Sequence, residues 1–128
     1  MTQCNSIQEL GSKPATIKWN VVRGDTAELR VEFLENDEVT FIDISDWEFS
    51  SSAYDSRGEI LDDLEVIVSD GYVDIIASSD VTRNWGEGSS SIVAELVFDL
   101  EVTINGEKVW TPLLGTISVL GDVTGGSL

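Results

Sequence analysis

Trp19-Asn20-Val21-Val22-Arg23-Gly24-Asp25-Thr26-Ala27-Glu28-Leu29-Arg30-Val31-Glu32-Phe33 reads as a strand, a break and a second strand. Ala27, Leu29, Val31 and Phe33 alternate with Glu28, Arg30 and Glu32. That period of two belongs to a strand with one face buried and one face wet. Upstream, Ile17, Trp19 and Val21 share one face of the segment from Thr16 to Val22, with Lys18 and Asn20 on the other. Arg23-Gly24-Asp25 interrupts the pattern, and Gly24 is free to take the positive φ of a tight connection. Burial of Leu29, Val31 and Phe33 would contribute about 1.5–3 kcal/mol each.

Working outward, the same code recurs. Glu35-Asn36-Asp37-Glu38 is a polar turn before the short apolar run from Val39 to Ile44. Trp47, Phe49, Ser51 and Ala53 then alternate with Glu48, Ser50, Ser52 and Tyr54. Asp55-Ser56-Arg57-Gly58 is a tight turn with its glycine last. Leu64 to Val68 is a short strand, and Ser69-Asp70-Gly71 turns it into Tyr72 to Ala77, the Asp-Gly pair being a strong hairpin signal. Ser78 to Trp85 is the one helical piece, capped by Ser78 or Ser79, with Asp80 at its positive end and Gly86 and Gly88 closing it. Its place between two strands predicts a crossover from one sheet to another. Ile92 to Val102 gives the longest alternation, and Asn105-Gly106 marks a second hairpin. After it, Lys108 to Thr111 returns, Pro112 permits a kink or bulge, and Leu113 to Leu120 closes the sheet.

Seven to nine short strands, a turn every 8–12 residues and one short helical crossover predict an all-β chain. The expected architecture is an immunoglobulin-like β-sandwich of antiparallel strands; the alternative is a jelly roll or small barrel. With 128 residues the chain is one domain. The expected boundaries are an extended N-terminal arm over 1–15, anchored by Ile7 and Leu10, the sandwich over 16–124, and a short tail over 125–128.

Composition narrows the function classes. There are 24 acidic and 7 basic residues, a formal charge of −17. Such a surface repels phosphate backbones and anionic membranes, so neither nucleic acid nor membrane is an expected partner. A solvated, aggregation-resistant surface explains the charge most simply; a partner with a basic face, or a high-salt setting, would also use it. No apolar run reaches the roughly 18 residues of a membrane span, and the first residues lack the pattern of a signal peptide.

Chemistry is sparse. The chain has no histidine, which removes the commonest general base and most transition-metal sites. Its single cysteine, Cys4, has no histidine to activate it. Gly86-Glu87-Gly88 is not followed by the lysine and hydroxyl residue of a phosphate loop. Glu35, Asp37 and Glu38, and separately Asp62 and Asp63, could offer oxygens to calcium, yet neither stretch matches an EF-hand loop and both read as solvated turns. Arg23-Gly24-Asp25 spells an integrin tripeptide, but its place between two strands favours a structural turn. Trp85, followed by Gly86 and Gly88, is the candidate exposed aromatic contact; the plainer reading has it plugging one end of the sandwich. No enzyme activity, cofactor or metal is expected.

The order of the pieces carries a resemblance. Arg23-Gly24-Asp25-Thr26 precedes an alternating strand, a short Ser/Asp-started turn ends in Trp85-Gly86, and Phe98-Asp99-Leu100-Glu101-Val102 enters an Asn-Gly hairpin. Gly115-Thr116-Ile117-Ser118-Val119 and Asp122-Val123-Thr124 close it. From about Trp19 to Thr124 this resembles the small immunoglobulin-like domains of tailed-phage virion proteins, notably the N-terminal module of BppU-type baseplate proteins. The resemblance implies a non-enzymatic virion component, assembled in the host cytoplasm. It would dock on other phage virion proteins through a basic or strand-edge face, with homo-oligomerisation open. In that family the module precedes a longer stalk or receptor-binding part, whereas this sequence ends at Leu128. The expectation is therefore a tail or baseplate adaptor or accessory, or a head-decoration protein, with possible partner-binding residues Ile7, Leu10 and Trp85. Arg23, Gly24 and Asp25 serve as a family-marker turn. The alternative is a free-standing carbohydrate- or ligand-binding sandwich using Trp85, Trp47 or Tyr54 as a platform.

Overall fold

The alternating runs become strands where apolar side chains can share one interior. A computed structural model describes residues 15–86 and 92–121. Its elements are β1 (Ala15–Val22), β2 (Ala27–Glu32), β3 (Trp47–Tyr54), β4 (Ile60–Val68), β5 (Tyr72–Ala77), α1 (Ser79–Thr82), β6 (Ala94–Ile104) and β7 (Lys108–Leu120). The hydrogen-bonded order is β1-β7-β6-β3-β4-β5-β2.

The strand β4 belongs to two layers. Its first half, from Ile60 to Leu64, pairs with β3, and its second half, Glu65 to Val68, pairs with β5. One layer is thus β1-β7-β6-β3 with the start of β4, and the other is β2-β5 with its end. The runs β7-β6-β3 and β2-β5-β4 reproduce the G-F-C and B-E-D neighbours of the immunoglobulin fold. The chain is an all-β, immunoglobulin-like sandwich. The shared strand joins the layers along one side, so the structure is nearly barrel-like there, while the β1–β2 side has no ladder.

Three details depart from the sequence reading. The pair β1–β7 is parallel, Ala15 to Val22 lying beside Leu113 to Leu120, whereas all strands were expected to be antiparallel. Alternation reports which face is buried and is silent on direction. The longest strand is β7, with 13 residues against 11 in β6. Leu100 faces Leu113 and Val102 faces Trp110, so Thr111 and Pro112 together oppose Glu101. This is the bulge Pro112 was expected to permit; a residue without an N–H loses nothing where the ladder is interrupted. The run from Val39 to Ile44 supplies one bridge, Leu34 to Phe41. Of the expected arm only Ala15 lies within the described residues; Ile7, Leu10, Cys4 and the closing segment 122–128 fall outside them.

The core is aromatic and β-branched. Trp19 meets Phe98 at 5.4 Å, and Val21, Val73, Ile75, Leu100, Val102, Ile117 and Val119 fill the space between the layers. At one end Phe33 packs against Trp47, Phe49 and Trp110 with ring centres 5.5–6.5 Å apart. Phe33 is buried, but Leu29 and Val31 are only half-buried, so they contribute less than the full burial expected from their pattern. The asymmetry matters below, because both lie on an edge strand.

Gly115 is required by close approach. It sits between Ile17 of β1 and Phe98 of β6, and a Cβ there would stand 2.5 Å from the Ile17 carbonyl oxygen and 2.7 Å from the Phe98 ring. Backbone on one side and a buried ring on the other leave little room to yield. Gly115→Ala is expected to cost about 1–3 kcal/mol, read as a lower urea midpoint with unchanged slope. An unchanged midpoint would mean that β1 can move off β7.

Candidate interaction surface

The tripeptide Arg23-Gly24-Asp25 is bound into the fold. Gly24 has a φ of 91°, and the Asp25 N–H donates to the Val22 carbonyl, closing the turn. Its other polar groups reach across the molecule to the crossover. The Gly24 N–H donates to Thr82 Oγ1 at 3.0 Å, and that hydroxyl donates to the Asp25 carbonyl at 2.7 Å. The Arg23 guanidinium donates from Nε to the Gly86 carbonyl at 3.0 Å, and the Arg23 N–H donates to the Leu120 carbonyl at 2.9 Å. Thus the turn between the first two strands is latched to α1 and to the end of β7.

The same latch disposes of Trp85. Ser78 caps α1 by accepting the Val81 N–H, and the chain turns immediately after it, which carries Trp85 inward. The indole is 2% exposed and its N–H donates to Asp62 Oδ2 at 2.9 Å. Trp85 therefore plugs the sandwich end, and the expectation that it offers an exposed aromatic contact is corrected: a side chain this buried has no face left for a partner. Trp47 is half-buried in the aromatic cluster at Phe33, which leaves Tyr54 as the one platform candidate on an outer face.

The carboxylates singled out for calcium are used locally. Asp37 accepts the Val39 and Thr40 N–H groups and the Thr40 hydroxyl. Asp62 takes the Trp85 indole while Asp63 accepts the Ser52 hydroxyl, so these sequence neighbours face opposite ways. Among the described residues no three metal-ligating side chains are gathered. Sequence reasoning missed Asp99. Its carboxylate accepts the Ser52 N–H at 3.3 Å and the Tyr54 hydroxyl at 3.1 Å. Burial, and then the charge of Asp99, push the Tyr54 phenol above its ordinary value.

These groups line the outer face of β1-β7-β6-β3. Registers place Tyr54, Val97, Thr116 and Lys18 in one row, and Ser52, Asp99, Leu114 and Thr16 in the next. Val97 and Leu114 are 37% and 39% exposed, and with Ile17, Lys18 and Thr116 they border a shallow groove of about 400 Å³. Beyond this face, the strand order ends at β1 and β2, whose outer sides have no ladder partner among the described residues.

Electrostatics of the surface give a two-part expectation. At neutral pH added salt should raise the thermal midpoint, since the formal charge of −17 is screened over ~10 Å at 0.1 M. Several carboxylates sit below their usual range: Asp37 through the Thr40 hydroxyl, Asp55 through the Glu59 N–H, and Asp74 through the Arg30 guanidinium. Their depressed values mean that the associated stability is fully present above the unfolded range near about 4 and lost as pH falls through the folded values. With self-repulsion screened by about 1 M salt, the midpoint should fall as pH drops below about 4. A midpoint indifferent to salt at pH 7 would remove self-repulsion from the account.

No family model matches the chain, and no curated protein matches it. Among solved structures it is similar to the filamin domain of Lin-41, at 11% identity over 78% of this chain and 81% of that one, TM-score 0.42. It is also similar to the M1 domain from titin, at 11% identity over 84% and 90%, TM-score 0.43. A mutant titin I27 domain gives 13% identity over 94% and 95%, TM-score 0.35. All three TM-scores are low, and the fold assignment stands on the strand order given above.

Proposed function

We propose that this chain is a non-enzymatic structural component of a tailed-phage virion, an adaptor, accessory or decoration module that docks on other virion proteins. The observation that carries the reading is how its unusual residues are spent. Arg23, Thr82, Trp85 and Asp62 fasten one end of the sandwich, while the outer sides of β1 and β2 have no ladder partner among the described residues. A fold that invests its polar side chains in rigidity and leaves backbone edges available suits strand addition or edge packing better than turnover. The virion assignment rests on the resemblance to BppU-type modules in the Arg23–Thr26 turn, the Phe98–Val102 strand and the closing segment.

Cross-linking mass spectrometry on purified particles tests it. The expected result is a copy number set by particle symmetry, with cross-links to another virion protein near β1 or β2. Absence of the chain from intact particles would overturn the reading. A second reading, a carbohydrate- or ligand-binding module, is favoured by one feature only, the groove lined by Val97, Leu114 and Lys18, with Tyr54 the neighbour of Val97 on the next strand. Specific glycan-array binding lost on Tyr54→Ala would shift the balance to it.

A further inference from the structure

The two open edges face each other across one side of the sandwich. The 23–26 turn ties β1 to β2 at one end, and there Trp19 and Val21 are fully buried. Elsewhere the closure is incomplete: Ala15 and Ile17 on β1, and Leu29 and Val31 on β2, are only half-buried against the core, as is Ala27 beside the turn. On β5, the strand next inward, Val73, Ile75 and Ala77 are 0–1% exposed. The half-buried apolar side chains thus follow a seam along the unpaired edges of β1 and β2.

The backbone of β2 is positioned to receive one more strand. The Phe33 N–H donates to the Gly71 carbonyl, continuing the antiparallel β2–β5 ladder. By the alternation of that ladder, Val31 and Leu29 also direct their N–H and C=O groups toward β5, and Glu28, Arg30 and Glu32 direct theirs outward. The side chains of these three sit on the solvent face. Arg30 is engaged across the sheet, donating to both Asp74 oxygens at 2.9 and 3.2 Å and stacking 4.0 Å from the Tyr72 ring. Glu28 and Glu32 remain as charges without an ion pair among the described residues. The opposite lip, β1, carries one charge, Lys18.

We propose that this seam is a strand-acceptor site for an extended segment of another protein, with apolar and basic residues in alternation, laid along β2. This rests on the docking reading above and names its partner chemistry. Apolar residues of the segment cover Leu29 and Val31, and its basic residues stand beside Glu28 and Glu32, where opposite charges on neighbouring strands attract. The partner is a separate chain of opposite charge and not a second copy of this one. Nowhere in the sequence do two basic residues stand at i and i+2, and two copies each bring a formal −17. Charged side chains on an edge guard against such self-pairing.

The test uses the full chain and a probe peptide alternating lysine and valine, about seven residues to match a strand. Amide exchange at Glu28, Arg30 and Glu32 is followed by NMR. The lysine peptide should slow it about tenfold, and the same peptide with glutamate for lysine should not. The double variant Glu28→Lys/Glu32→Lys, both side chains being exposed, should keep its fold and exchange the two preferences. Glu28→Pro removes an outward N–H that β5 does not use, and should abolish the response to either peptide. Three results overturn the proposal: no slowing by the lysine peptide, equal slowing by both peptides, or amides already slow without peptide because the chain covers its own edge. A protein present on particles with an inert seam loses this proposal and keeps the docking reading; a responsive seam on a protein absent from particles does the reverse.

Discussion

Trp85→Ala is expected to lower the unfolding free energy by about 3–5 kcal/mol, the range for truncating a fully buried aromatic. Trp85 is 2% exposed and among the largest fully buried side chains. Two costs add. The cavity opens at the end of the sandwich, where α1 and the Arg23–Asp25 turn converge. The Asp62 carboxylate loses the indole N–H it accepts at 2.9 Å, a bond to a charged group worth about 1.5–3 kcal/mol. Trp85→Phe separates them, since it keeps most of the ring and removes the donor. It should fall between wild type and alanine in a urea titration, with the slope unchanged for all three. Stability unaltered by Trp85→Ala, together with loss of binding to a partner, would restore the exposed-contact role that burial takes away.

Local chemistry made most of the fold legible. The alternation in β2, β3 and β6 needs only period-two burial, and those strands form where it occurs. Asn105 and Gly106 take φ values of 54° and 74°, the positive angles an Asn-Gly turn favours, and with Glu107 they make the three-residue connection between β6 and β7. Ser78 caps α1 because a hydroxyl before an acidic first turn satisfies an otherwise free N–H. Pro112 sits in a bulge because its missing donor suits no regular ladder position.

What stayed hidden depends on direction and distance. Nothing in Ile17-Lys18-Trp19 distinguishes a strand running with β7 from one running against it. Nothing in Ile60 to Val68 announces that its halves serve different layers; its mixed burial is the trace of that, visible only once the neighbours are known. For Trp85 the following Gly86 and Gly88 suggest a contact role, while the plainer expectation, a plug at the sandwich end, is the one its burial matches. Its burial is decided by Asp62, 23 residues away. Thr82 drew no attention at all, since a threonine in a short helix fits many structures. Its partners lie 57 and 58 residues away.

Thr82→Val is the cleanest probe of that long-range latch, with an expected loss of about 2–4 kcal/mol. The hydroxyl is wholly buried, and valine matches threonine in shape, so the change opens no cavity. It strands the Gly24 N–H and the Asp25 carbonyl, which now meet Thr82 Oγ1 at 3.0 and 2.7 Å. Each partner left unsatisfied costs about 1–3 kcal/mol, more than the net worth of a hydrogen bond that is never formed. Thr82→Ser keeps the hydroxyl and loses a methyl, so it should cost only about 1 kcal/mol. The ordering valine below serine is the signature: a packing role alone would reverse it, because valine preserves the volume and serine does not. Amide exchange at Gly24 should quicken in the valine variant and stay slow in the serine one. If valine proves as stable as wild type, the Arg23-Gly24-Asp25 turn holds its shape without α1, and the tripeptide regains the freedom to be presented to a partner.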